Sequence, residues 1–159
     1  MTQEELMEKQ MKIAEGVFGT ESDPDQMPIN DETRKKLDSL CSGWLETEFD
    51  EAGEPISWAV VMPTQRAIAE KFLVNQISEK DILDMTESSG IYDAVYLVSV
   101  ITVPEHRGKG LGKKVVERAM ANIPATPDAL YFSWPTTPEG EAMFAKYKTF
   151  LGKEIVIRK

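Results

Sequence analysis

Residues 95–116 read VYLVSVITVPEHRGKGLGKKVV, and this stretch decides how the rest of the chain is interpreted. A nearly continuous apolar run, typical of a buried central strand, ends at Pro104. A basic, glycine-rich loop follows and leads into an amphipathic helix from about Leu111. Glycines leave backbone N–H groups open, and a helix N-terminus adds unpaired donors and a partial positive charge. The stretch therefore predicts a site for a phosphate or a pyrophosphate.

The charge of this loop is opposite to that of the whole chain. The 159 residues carry 27 acidic and 18 basic side chains, which gives a net charge of -9. Four of the 18 basic residues lie between Arg107 and Lys114, with no acid among them. Such an acidic chain is a poor general binder of nucleic acids and anionic membranes, so we expect neither as a partner. The loop indicates an anionic ligand, and the acidic remainder suits a cationic second substrate.

Length and composition indicate one domain over residues 1–159. No apolar run approaches the roughly 20 residues of a membrane helix, and residues 1–10 lack the apolar segment of a signal peptide. The single cysteine, Cys41, excludes an internal disulfide, and a single histidine, His106, argues against a structural zinc site. We therefore expect a cytoplasmic protein without a metal.

Apolar periodicity and capping residues predict an α/β (α+β) domain whose mixed, mostly antiparallel central sheet is flanked by helices. Residues 1–30 form an N-terminal helix and loop, and a strand hairpin ends at Pro63. A helical insertion, residues 64–90, starts from a cap at Thr64 and precedes the central strand. The last helix is predicted to start at Thr136 or Thr137, with Pro138 at the first helical position, and to run through about Phe150. Gly152 ends it, and one short strand follows.

Two well-known phosphate-binding motifs do not fit the loop. A P-loop ending in Gly112-Lys113 needs glycine at the position of Arg107 and serine or threonine at that of Lys114. A dinucleotide fingerprint needs glycine at the position of Lys113 and a βαβ unit with an acidic residue about 20 positions on. The pattern that remains is R-x-x-G-x-G, which Arg107, Gly110 and Gly112 satisfy.

With its preceding strand, Pro104 and following helix, this pattern resembles the pyrophosphate loop of the GNAT superfamily, the GCN5-related N-acetyltransferases. The order of elements from about residue 31 onward is also similar to that family. The resemblance implies a GNAT-like acyl-CoA N-acyltransferase fold. It also implies transfer of an acetyl or other acyl group from acetyl-CoA, a co-substrate, to a primary amine by direct attack.

The resemblance further implies which residues bind acetyl-CoA. Backbone N–H groups between Gly108 and Lys113 would hold its pyrophosphate, and Arg107 would neutralise charge. The end of the central strand would pair with the pantetheine amides and place an N–H near the thioester carbonyl. The implied set is Ile101, Thr102, Val103, Arg107, Gly108, Lys109, Gly110, Leu111, Gly112 and Lys113.

Candidates for proton transfer are fewer. The resemblance implies a tyrosine on the last helix that protonates the leaving thiolate, and Tyr147 is the candidate. Family members usually place it four residues before a helix-ending glycine, whereas Gly152 follows Tyr147 by five. Glu46 and Glu48, on one face of the first hairpin strand, are candidate bases. The other polar candidates are Ser99 and Tyr96, and a water-mediated base is an alternative.

The chain also departs from the family pattern. Thr102 stands where the family usually has valine, and the insertion at 64–90 stands where it has a tight turn. The usual first strand is not evident, and one strand is predicted after the last helix where the family has two. The insertion suits either a cover for the acceptor site or a homodimer surface. The expected acceptor is a small-molecule or peptide amine, and the variable segments of the chain carry no recognisable motif that identifies it. The alternative function is a non-catalytic CoA or acyl-CoA sensor or assembly module of the same fold.

Overall fold

A computed structural model describes residues 1–18, 26–88 and 90–159. Part of the loop predicted within residues 1–30 lies outside these ranges. None of the helices in the described ranges combines the length and apolarity that crossing a membrane requires. The helices are α1 (Gln3–Phe18), α2 (Asp31–Leu40), α3 (Arg66–Leu73), α4 (Glu79–Met85), α5 (Leu111–Ala121) and α6 (Pro138–Lys146). The strands are β1 (Leu45–Phe49), β2 (Pro55–Thr64), β3 (Ala94–Thr102), β4 (Leu130–Ser133), β5 (Thr149–Phe150) and β6 (Lys153–Ile157).

The strands form a six-stranded mixed sheet in the order β1-β2-β3-β4-β6-β5. The pairs β1/β2, β2/β3 and β5/β6 are antiparallel, whereas β3/β4 and β4/β6 are parallel. The parallel pairs arise because α5 and α6 carry the chain back across the sheet between successive strands. The predicted mixed α/β class with a mixed sheet is confirmed.

Side chains of β2 and β3 alternate between two cores, one on each face of the sheet. On one face Ala59 and Val61 pack against the apolar stripe of α5, which includes Val115 and Ala119. On the other face a second core includes residues of α2, α3 and α4. The members of this second core in the sheet are Val60, Met62, Ala94, Tyr96 and Phe132.

A buried carboxylate joins the helical insertion to the central strand. Glu79, the first residue of α4, is 5% exposed, and its Oε2 accepts a hydrogen bond from the Tyr96 hydroxyl. Its Oε1 accepts the backbone N–H of Met27 at 2.6 Å. Burial, followed by the nearby Glu79 charge, raises the pKa of Tyr96 well above its ordinary value. The insertion is therefore part of the second core.

β3 changes its pairing partners halfway along its length. Val98 is an extra residue in the ladder with β2, because Ser99 pairs with Val60 while Leu97 pairs with Val61. The ladder with β4 covers only residues 94–97 of β3. Beyond this β-bulge the strand continues to Thr102 with β2 on one side. On its other side no strand of the described residues pairs with it, which leaves an open edge. This open edge positions the cleft described below.

Two predicted element boundaries near Pro63 are wrong. β2 continues through Pro63, which pairs with Val95, to Thr64. The N–H of Val61 points to Trp44 on the β1 side, and position 63 faces the same side. Pro63 is tolerated because no strand of the described residues pairs with β2 on that side at this position, so no N–H is required. The N-cap of α3 is Gln65 and not Thr64, and its side chain makes no capping hydrogen bond.

The predicted end of the last helix is also wrong. α6 ends at Lys146, and Tyr147 has extended backbone angles (φ −103°, ψ 114°). The helix stops because Phe150 packs as a strand residue into the core beneath α5, fully buried. Leu151 and Gly152, with φ of 50° and 71°, form the turn between β5 and β6. Two strands therefore follow α6, where one was predicted.

Candidate functional site

A cleft of about 310 Å³ opens between the loop before α5, the open edge of β3 and one face of α6. It contains eight of the ten residues predicted to bind acetyl-CoA: Ile101, Thr102, Arg107, Gly108, Gly110, Leu111, Gly112 and Lys113. Val103 and Lys109 are not in its wall. The N–H of Val103 is bonded to the carbonyl of Ile56, and the Lys109 Nζ lies 3.5 Å from Nδ1 of His106.

The glycines shape the end of the cleft where α5 begins. Gly108 and Gly110 have φ of 81° and 78°, and an added Cβ would meet no atom of the described residues within 4 Å at either position. Glycine is therefore favoured there by backbone conformation and not by lack of space. Gly110 caps α5 without a side chain, so the N–H groups of the first helical turn remain open toward the cleft. At Gly112 a Cβ would lie 3.5 Å from Met143, so the first turn of α5 lies close to α6.

Three cations surround this end of the cleft. The Nε of Arg107 donates to the Thr102 carbonyl at 3.0 Å, and its Nη1 lies 3.5 Å from Oε1 of Glu139 on α6. The Nζ atoms of Lys113 and Lys146 lie 5.1 and 5.3 Å from the ring centre of Tyr147. Together with the α5 N-terminus, these groups create a region of positive potential suited to a phosphate.

The cleft continues along β3 into a narrow pocket of about 30 Å³, which we call the β3–β4 pocket. The pocket lies where the two strands separate, and Val100, Thr137 and Met143 belong to the walls of both spaces. The Ser133 hydroxyl donates to the Leu97 carbonyl at 2.8 Å and holds the last paired position together. The cleft and the β3–β4 pocket therefore lie end to end along β3, from the glycine loop to Val98 and Ser99, and we call the pair the channel.

The β3–β4 pocket has no ionisable lining. Its wall includes Ser99, Ser133, Trp134 and Phe144, and no acidic, basic, tyrosine, cysteine or histidine side chain is among its described residues. This end of the channel therefore supplies no side chain that exchanges a proton near pH 7.

Tyr147 lies at the opposite, charged end of the cleft. Its ring packs against Phe150 with 6.0 Å between ring centres, and Lys113 and Lys146 lie over it. Phe144, one helical turn earlier, is the α6 aromatic residue that reaches the β3–β4 pocket. The distance from Tyr147 to Gly152 says nothing about a role of Tyr147 in proton transfer, because Gly152 belongs to the β5–β6 turn and does not end α6. The position of Tyr147 suits contact with phosphates better than proton transfer to a thiolate.

Glu46 and Glu48 share one face of β1, as predicted, but they face α5 and do not line the cleft or the β3–β4 pocket. Arg118 bonds Glu46 at 2.8 Å and Glu48 at 2.6 Å, and Lys114 lies 3.2 Å from Glu48. The hydrogen bond from Lys114, followed by that from Arg118, lowers the pKa of Glu48 despite some burial. Asn122 also donates to Glu46 at 2.7 Å. This placement does not favour either carboxylate as a base.

Reasoning from the sequence missed the wall that α6 contributes. Thr137 accepts the N–H of Gly140 and Pro138 is the first residue, so the start of this helix was predicted correctly. The face that it turns to the cleft depends on the separation of β3 from β4, for which the sequence has no local signal. The missed residues in this wall are Thr137, Glu139, Gly140, Ala142, Met143 and Lys146.

Comparison with known proteins assigns no family to the chain. No family model matches it, and neither a curated protein nor a solved structure does. The interpretation of the cleft therefore depends on its own geometry and on the sequence pattern of its loop.

Proposed function

We propose that the protein is an acetyl-CoA-dependent N-acyltransferase with a GNAT-like fold. One observation carries this proposal: a cleft at a glycine-rich, positively charged helix N-terminus adjoins a pocket at an open strand edge next to a β-bulge. A phosphate group suits one end, and an amide-bearing chain suits the exposed backbone groups at the other. Acetyl-CoA combines these two chemical features in one molecule.

The residues present fit this ligand. The open N–H groups from Gly108 to Lys113 would hold the pyrophosphate, with Arg107 and Lys113 supplying charge. The edge of β3 around Ile101 would pair with the pantetheine amides, as an added strand does. The acyl group would then lie in the β3–β4 pocket, where the bulge at Val98 leaves the regular ladder and can direct a backbone N–H at a developing oxyanion.

The reaction is a direct transfer. The lone pair of the acceptor nitrogen attacks the thioester carbonyl, a C–N bond forms, and the C–S bond breaks to release CoA. The single cysteine, Cys41, lies away from the cleft, with its Sγ 3.7 Å from the Asn122 carbonyl. A covalent acyl-cysteine step is therefore not part of the proposal.

The test combines binding with turnover. Calorimetric titration with CoA should show one site per chain, and acetyl-CoA with a panel of aromatic amines, alkylamines and peptides should yield free CoA and an N-acetyl product detected by mass spectrometry. CoA without measurable affinity would exclude the proposed function altogether.

A second function, a non-catalytic CoA or acyl-CoA sensor or assembly module, is favoured by the β3–β4 pocket. Because its described wall contains no ionisable side chain, the channel suits binding better than proton transfer. Tight CoA binding without an acetylated product across the whole panel would favour this module over the enzyme.

A further inference from the structure

A second pocket lies on the other face of β3, beneath α1. It has a volume of about 20 Å³ and is walled by α1 on one side and by β1, β2 and β3 on the other. Ser99 belongs to the walls of both this pocket and the β3–β4 pocket. Ser99, the residue after the β-bulge, therefore lies between the proposed position of the acyl group and this second pocket. The wall of this α1 pocket includes Met7, Gln10, Met11, Ala14, Trp44, Leu45, Trp58 and Val60.

Gln10, a residue of the α1 pocket wall, has a buried polar atom without a partner among the described residues. Gln10 is 3% exposed, and its Nε2 donates to Oγ1 of Thr47 at 2.9 Å. Its Oε1 is buried without a hydrogen bond among the described residues. Rotating the amide by half a turn would exchange its two polar atoms and still leave one unpaired. An unpaired buried acceptor is unfavourable, so a ligand N–H that reached this oxygen would be stabilised.

The described walls of the α1 pocket and the β3–β4 pocket contain no ionisable side chain. Apart from Gln10 and Ser99, the α1 pocket is lined by apolar and tryptophan side chains, and no described residue of either wall is acidic or basic. An ammonium ion would lose its hydration there without a carboxylate to pair with, which is strongly unfavourable. A charged amine would also find, among the described residues of these walls, no side chain to remove its proton before attack.

We propose that the α1 pocket binds the acceptor, and that the acceptor is a weakly basic aromatic amine; this rests on the proposed function. An arylamine is neutral at pH 7 because its lone pair is delocalised into the ring, so it enters uncharged and needs no base. One N–H donates to Oε1 of Gln10, and the ring packs against Trp44 and Trp58.

The volume of the α1 pocket limits how such an amine enters. About 20 Å³ accommodates one group the size of a water molecule, which matches an amino group but not a ring. Met7 and Met11 form the α1 side of the wall. Both side chains are unbranched and flexible, so we expect them to change rotamer when the ring enters.

The chemical step balances without a titratable side chain. The neutral nitrogen attacks the thioester carbon, the C–N bond forms, and the C–S electron pair leaves with sulfur. The proton lost from nitrogen passes to the thiolate, directly or through solvent, and the products are an N-aryl amide and CoA.

A matched pair of amines tests the inference. Aniline and cyclohexylamine have rings of similar size, but aniline is neutral at pH 7 and cyclohexylamine is protonated. With acetyl-CoA at pH 7 we expect kcat/KM for aniline to exceed that for cyclohexylamine by at least about tenfold, and the cyclohexylamine value to rise about tenfold per pH unit as the neutral form increases. Equal kcat/KM values for the two amines at pH 7 would overturn the inference. The expected preference for aniline is opposite to the order of intrinsic nucleophilicity, which is higher for neutral cyclohexylamine.

Substitutions of Gln10 provide the second test. Gln10→Leu should raise the KM for aniline about fivefold to tenfold with an unchanged CoA Kd. Gln10→Glu supplies a carboxylate and should increase kcat/KM for cyclohexylamine at pH 7 by a similar factor. Gln3→Leu, at an exposed position of the same helix, is the control for effects on α1 itself.

The two proposals fail in different ways. Absence of CoA binding contradicts the proposed function. CoA binding with preference for cyclohexylamine at pH 7, with acetylation of neither amine, or with an unaltered aniline KM in Gln10→Leu contradicts only the acceptor inference. Thermal midpoints within a few degrees of the unmodified protein would show that the Gln10 variants are folded.

Discussion

The two ends of the channel along β3 are chemically opposite. At the α5 end, open backbone N–H groups, Arg107, Lys113 and Lys146 surround the cleft. At the Ser99 end, the described walls on both faces of the strand contain no ionisable side chain. Donor binding and the reaction with the acceptor are therefore expected to depend on different residues, at opposite ends of one strand. Changes at one end should leave the other end unaffected.

The largest effect is expected at the glycine loop. Gly110→Asp places a carboxylate where phosphate must approach the backbone, and its φ of 78° adds strain. Like charges about 4 Å apart near a protein surface repel by about 4 kcal/mol, so the CoA Kd, measured by calorimetry, should rise at least about 100-fold.

Gly53→Asp is the matched control for Gly110→Asp. Gly53 has nearly the same φ, 82°, with equally open space, but it lies in the β1–β2 turn. This variant should have similar backbone strain and an unchanged CoA Kd. Equal losses of affinity in both variants would break the comparison, because the effect would then come from strain and not from the cleft.

A smaller effect of opposite sign is expected at Glu139. This carboxylate lines the cleft and lies 3.5 Å from Arg107, so it competes with a phosphate for the guanidinium. Glu139→Gln should tighten CoA binding about threefold to tenfold, most strongly at low ionic strength. Glu141→Gln, also in the first turn of α6 but outside the cleft wall, controls for the helix dipole and should leave the Kd unchanged.

The smallest effect is expected at Glu48, and it concerns stability. The folded-state pKa of Glu48 lies below its ordinary value of 4.5, chiefly because of Lys114. Its stabilisation is therefore present above about pH 4.5 and is lost as the pH falls through the lowered folded-state value. Glu48→Gln should reduce the free energy of unfolding by about 0.5–1 kcal/mol at pH 7, with the difference disappearing in acid, as urea titrations would show.

The same variant tests the predicted base. Because Glu48 lies outside the cleft, turnover of acetyl-CoA should change less than about twofold in Glu48→Gln. A fall of about 100-fold, the size typical for loss of a general base, would break the comparison, since the Ser99 end would then depend on an ionisable group.

Local signals predicted much of the fold. The last helix begins at Pro138 and the glycine loop lies between a strand and a helix, both as expected. The errors occur where distant packing determines the outcome. α6 ends early because Phe150 is required in the core, and β2 passes Pro63 because β1 has ended beside it.

The candidate site divides in the same way. The loop residues were identified because phosphate binding depends on a few consecutive backbone groups. The partners of Glu46 and Glu48 lie on α5, and the α6 wall depends on where β4 separates from β3, so neither follows from local sequence. Gln10 was not recognised at all, because only the packing of α1 over β1 and β3 shows that its Oε1 is buried.

Because of the hydrogen bond between Glu79 and Tyr96, a shortened version of this domain has to keep the helical insertion. Joining β2 directly to β3 would delete the insertion and leave a phenol hydroxyl in the centre of an apolar core without its acceptor. The N–H of Met27 would lose its partner as well. The two helices of the insertion are therefore required by the core of the domain. A shortened variant should be shortened at the β1–β2 turn and should keep the insertion.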